Sequence, residues 1–128
     1  MINLFDLIAR IFISSIFLIS GVNKIFSFDN TVQWMESFGV NGILLYPSIV
    51  LEVVMPLLII VGYQTRFAAV LLLLFCISTA FIFHNDLSNQ LQLIAFLKNI
   101  GLAGGLLFLI INGTKDWSFE KKKKYVRL

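Results

Sequence analysis

Four apolar runs decide what this chain can fold into. They cover residues 4–26, 43–62, 67–83 and 91–111 of the 128 residues. Each is close to the ~17–25 residues with which an α-helix crosses the hydrocarbon core of a bilayer. Spanning sheets must close and need about eight strands, so four segments imply helices. The expected architecture is all-α, a membrane-spanning antiparallel four-helix bundle forming a single domain over residues 1–128. Composition agrees: 59% of residues are hydrophobic and 13% charged, against about 25% charged in a soluble domain. Arg10 lies inside the first run, and Ser20-Gly21-Val22-Asn23 is a poor cleavage site, so that run reads as an uncleaved helix and not a signal peptide.

Charge inside these runs is the next constraint. Glu52 stands near the middle of the second, where a carboxylate costs at least about 2.5 kcal/mol. Arg10 lies roughly 9 Å in from the start of the first span, and Lys98 roughly 10 Å in from the start of the fourth. Glu52, roughly 14 Å from either end of its helix, falls between them in depth. A triad of Arg10, Glu52 and Lys98 is therefore expected, with Asn99 beside it. One carboxylate with two cations leaves one positive charge over. Deprotonation of Lys98 or snorkelling would remove it structurally. An anion, a lipid phosphate or a quinol oxygen would match it functionally. The residues leave a ligand pocket and a structural ion pair level.

Helical spacing sorts the remaining polar residues. Arg10, Ser14, Phe17, Gly21 and Lys24 share one face of the first span, while Ile11, Phe12, Ile16 and Ile19 suit lipid. Lys98, Gly101, Gly105 and Asn112 share a face of the fourth. Gly21, Gly101, Gly104 and Gly105 are the candidates for close helix packing. Pro56 withdraws a backbone donor from the carbonyl of Glu52, which predicts a kink there. Between the first two spans, residues 27–41 predict a short interfacial helix with Trp34 near the headgroups, Asn30 and Gln33 as a capping box and Gly39 as its stop.

His84, at the outer end of the third span, suits a proton relay or an ordinary interfacial role. A single histidine and a single cysteine, Cys76, supply neither a metal site nor a redox pair. Cys76 reads as packing. There is no haem pair, phosphate loop or catalytic triad, so any electron transfer must borrow a cofactor or a partner. The net charge of +3 gathers in the basic tail, residues 115–128. It points to a membrane surface and not to nucleic acid. With both termini on one side, Arg66, Lys115 and the tail share that side, which the positive-inside rule makes the cytoplasm. Lys24 is the exception at the outer end.

Taken in order, Arg10, Ser20-Gly21-Val22-Asn23-Lys24, Glu52, Gly62-Tyr63-Gln64-Thr65-Arg66, Lys98-Asn99, Gly104-Gly105 and Gly113…Asp116-Trp117-Ser118-Phe119 resemble the DoxX family of small four-helix membrane proteins. The resemblance covers nearly the whole chain. It implies a multi-pass protein of the cell inner membrane linked to redox metabolism, as a non-catalytic subunit of a membrane oxidoreductase or an oxidative-stress complex. Quinone is the cofactor it suggests. Arg10, Lys24, Glu52, His84, Lys98 and Asn99 would then line an intramembrane polar pocket. Two other readings stand beside it: an assembly or adaptor protein docking partner helices through its glycines, and a small oligomeric transporter.

Overall fold

A computed structural model describes residues 1–115, 117 and 118. It holds five α-helices in the order α1 (Ile2–Phe26), α2 (Phe28–Ser37), α3 (Leu45–Val61), α4 (Thr65–Phe83) and α5 (Gln90–Asn112), with a 3-10 turn at Gly42–Leu44 before α3. Four of these segments are long and apolar enough to span a membrane, the turn and α3 counting as one. No strand occurs among the described residues. The chain is a membrane-spanning four-helix bundle. The lysine run at 121–124 and Arg127 lie outside the described residues.

The helices run alternately up and down and form an incomplete ring. α1 packs on α3, α3 on α4, and α4 on α5, while α1 and α5 barely touch. The larger part of the core lies in the half nearer the termini, where Phe17, Ile59, Ala68, Ala69, Leu72, Ala103 and Leu106 are buried together, and a smaller cluster of Met35, Leu45 and Phe83 lies in the other half. The buried residues of α1 are Arg10, Ser14, Phe17 and Gly21, the face that a helical spacing of four, three and four selects. Ile16 departs from the expectation of a lipid-facing residue: it is half-buried and packs against the core.

α2 is present, but its start differs from the expected capping box. It follows α1 after Ser27 alone, and Asn30 lies inside it. The amide of Ser27 already bonds Asn23, and the hydroxyl of Thr31 bonds the Ser27 carbonyl, so the chain turns without a separate cap. Its end is as expected: Gly39 N–H donates to Glu36 and Val40 N–H to Met35.

The ends of α3 and α5 explain Arg10 and Arg66. Gly62 closes α3 at φ 75°, a conformation glycine adopts without strain. A side chain there would also collide with Ser118. Arg10 Nη1 donates to the carbonyls of Ile59 (3.1 Å) and Ile60 (2.7 Å), and Nη2 donates to the Trp117 carbonyl. Ile59 and Ile60 belong to the last turn of α3, whose carbonyls lack the full set of helical donors; Ile59 also accepts from the Gly62 amide. Arg66 reaches the Ile111 carbonyl at the end of α5. The Lys115 amide donates to Asp6 Oδ2 at 3.2 Å, so both ends of the described chain meet at one end of the bundle.

Candidate functional site

Glu52 is 2% exposed and faces the notch left by Gly21. A Cβ on Gly21 would stand 2.9 Å from Val53 Cγ2 and 3.1 Å from Glu52 Cβ, so the missing side chain lets α1 lie close against α3 at Glu52. Lys24 is one helical turn further along α1. Helical side chains lean toward the N-terminus, which carries its ammonium back to this level. Lys24 Nζ donates to Glu52 Oε1 at 2.7 Å and sits 5.3 Å from the centre of the Phe75 ring. The face of that ring adds a cation–π contact to the ion pair. Glu52 Oε2 is buried and accepts no hydrogen bond among the described residues.

The expected triad is corrected by this geometry. Glu52 pairs with Lys24, and Arg10 pairs with Asp6 at 3.0 Å, four residues earlier on the same helix. Arg10 is 1% exposed, and its guanidinium is taken up by Asp6 and three carbonyls at the other end of the bundle. Depth alone suggested a link from Arg10 to Glu52. What decides against it is the orphan carbonyl end of α3, a nearer set of acceptors. Asp6 carries an available signal, an i to i+4 spacing to Arg10.

Lys24, Glu52, His84, Lys98 and Asn99 line one cavity of about 250 Å³, and Arg10 does not. The cavity lies between all five helices, in the half nearer the α4–α5 turn. Asn99 Nδ2 donates to Thr79 Oγ1 at 3.1 Å and ties α5 to α4. His84 Nδ1 lies 3.0 Å from Gln92 Oε1 at the mouth. Lys98 is exposed on α5, and neither of the two ion pairs among the described residues includes it. Asp6–Arg10 and Lys24–Glu52 match as pairs, and Arg66 stands at the first turn of α4, so Lys98 is the charged side chain in the interior of a span that neither ion pair includes. Phe75, Phe83 and Trp34 provide the apolar wall. Trp34 and Phe83 stack with centroids 4.5 Å apart. Ser20, Ser48, Thr79 and Phe75, absent from the sequence-based set, also line it. Their only sequence signal is a helical spacing shared with many other residues.

The four candidate packing glycines separate into two pairs. Gly21 packs against α3, and a Cβ on Gly105 would stand 2.9 Å from Ile13 Cδ1 of α1. Gly101 and Gly104 face open space, with nothing within 4 Å of an added Cβ, and make no close contact inside the chain. No group of three or more metal-ligating side chains occurs among the described residues.

Comparison with known proteins bears on this arrangement. The DoxX family model matches residues 5–85, which includes α1 through α4 with Lys24, Glu52 and His84. The chain belongs to the DoxX family. It is 36% identical to the inner membrane protein YqjF of Escherichia coli (strain K12), over 90% of this chain and 88% of that protein. It is 37% identical to the inner membrane protein YphA of the same organism, over 91% and 88%. No solved structure matches. In this DoxX-family chain the matched segment supplies four walls of the cavity. Lys98 and Asn99, on α5, lie beyond it.

Proposed function

We propose that this DoxX-family chain is an inner membrane protein that holds a small quinone-like or anionic molecule in its cavity and thereby supports a redox process at the membrane. The observation that carries the reading is Lys98, a cation in an apolar span, on the wall of a cavity and without a counter-charge among the described residues. Hydrocarbon makes such a cation costly, and a ligand oxygen would offset that cost. A cavity of about 250 Å³ is below the ~300–1,000 Å³ of drug-sized sites. It suits a single ring, and a hydrophobic tail would leave along the lightly packed seam between α1 and α5. Lys98 and Asn99 would hold ligand oxygens, Phe75 and Phe83 would flank the ring, and Glu52 would exchange protons through Lys24. The two relatives are named inner membrane proteins. Arg66 and Lys115 at the termini end favour a cytoplasmic placement of that end. The test is equilibrium binding of a short-chain quinone and of inorganic anions to purified protein and to Glu52→Gln. Saturable binding by the native chain, weakened in the variant, supports the reading. No binding by either, with equal stability, rejects it.

A second reading is an assembly protein, and one observation favours it. α5 is the least buried of the four spans, and Gly101 and Gly104 leave open space on it. Small residues on an open membrane helix allow another helix to approach closely. A stoichiometric partner that co-purifies with the native chain and is lost on Gly101→Leu would support this reading. Retention of the partner would count against it. Gly105 is unsuited to the test because it packs within the chain.

A further inference from the structure

We propose that the cavity is an aqueous vestibule giving the Lys24–Glu52 pair one-sided access to solvent, from the face that carries the α4–α5 turn. The inference goes beyond ligand binding and holds with or without a ligand.

Three observations point to one side. The first is a row of polar side chains on the wall, running toward the turn face beside the buried apolar cluster of Met35, Leu45 and Phe83. Ser20 stands level with Glu52, Ser48 lies one turn nearer the start of α3, and Thr31 and His84 stand at the mouth. The volume of about 250 Å³ accommodates several waters at roughly 30 Å³ each. The hydroxyls offer them partners, which an apolar cavity would not. The second is a gradient within the ion pair. The Lys24 side chain, nearer the turn face, is 24% exposed, and that of Glu52 only 3%.

The third is the plug behind the pair. Toward the termini the next layer is Phe17, Ile59, Ala69, Leu72 and Leu106, all buried and packed together. Beyond it the Arg10 guanidinium is held by Asp6, the end of α3 and the Trp117 carbonyl, and the cavity on that side, lined by Asp6, Arg10, Ile13 and Gly105, shares no lining residue with the vestibule. A proton leaving or reaching Glu52 from the termini side would have to cross that apolar layer. The titratable side chains facing the vestibule are Lys24 from α1, Glu52 from α3, Cys76 and His84 from α4, and Lys98 from α5; α2 contributes none. Any proton exchange at Glu52 is thereby coupled to the turn face.

Thiol labelling in sealed vesicles tests this directly. In a Cys76→Ala background, Ser20→Cys and Ser48→Cys place a nearly isosteric thiol on the wall, and Ser14→Cys places one in the plug. Asn85→Cys in the α4–α5 turn and Tyr63→Cys after α3 mark the two faces, so no orientation need be assumed. A membrane-impermeant methanethiosulfonate reagent is applied to each side in turn. Ser20→Cys and Ser48→Cys are expected to react from the face that labels Asn85→Cys, with labelling lost from the face that labels Tyr63→Cys. Ser14→Cys is expected to react from neither. Should either cavity position not yield folded protein, the other is sufficient. Cavity thiols silent from the Asn85 side overturn the inference, as does labelling from the Tyr63 side or labelling of Ser14→Cys.

Discussion

Among single residues, Glu52 has its partner in Lys24, and Lys98 lies outside both ion pairs found among the described residues. Lys24→Met strands a carboxylate that is 2% exposed. Breaking a buried pair in this way costs about 3 kcal/mol, which a thermal melt in detergent would show as a lowered midpoint. Adding Glu52→Leu to Lys24→Met is expected to recover most of the loss, because the pair then leaves together. If the double variant is no more stable than the single one, Glu52 has another partner. Lys98→Met is expected to hold or raise stability, since Lys98 is exposed and outside both ion pairs. The cost of Glu52 was legible in the sequence, because a carboxylate in an apolar run stands out. Its partner was not. Depth along separate helices ranks candidates only coarsely, and Lys24 at a helix end did not register as deep. The backward lean of the lysine side chain and the close approach at Gly21 bring the two together.

Among the elements, the helices themselves were the most legible feature, since length and apolarity alone determine a span. The buried stripe of α1 followed from helical spacing, in steps of four, three and four residues. Which glycines pack was not legible, because spacing shows which residues share a face and not which neighbour occupies it. Gly105→Leu drives a side chain into Ile13, and overpacking of this kind costs about 1–3 kcal/mol. Gly101→Leu, in open space, is expected to leave the melting midpoint unchanged or raised, as leucine is the better helix former. Equal losses in the two variants would place α5 differently. Arg10 belongs to this scale as well. Arg10→Met removes the side-chain donor from the Ile60 carbonyl, while Ile59 retains the Gly62 amide, at about 1–3 kcal/mol for a buried group left unsatisfied. Hydrogen exchange should then rise first at the last turn of α3, with Glu52 unaffected.

For the whole molecule, the incomplete ring is what gives the site its character. α1 and α5 touch only lightly, and two cavities, one toward the α4–α5 turn with Lys24, Glu52 and Lys98 on its wall and one toward the termini with Asp6 and Arg10 on its wall, share no lining residue and lie either side of the layer of Phe17, Leu72 and Leu106. Opening a cavity in a bundle of this size lowers its own stability, and the charged side chains on the wall lower it further. That expense is understandable where a ligand or a solvent path uses the space. The direct test follows fluorescence from Trp34 on the cavity wall, in a Trp117→Phe background, during titration with a short-chain quinone. Saturable quenching in the parent, reduced severalfold in affinity by Lys98→Met while the melting midpoint is maintained, is the expected result. Quenching that is unsaturable, or saturable and identical in Lys98→Met, would contradict the assignment of this cavity as the binding site.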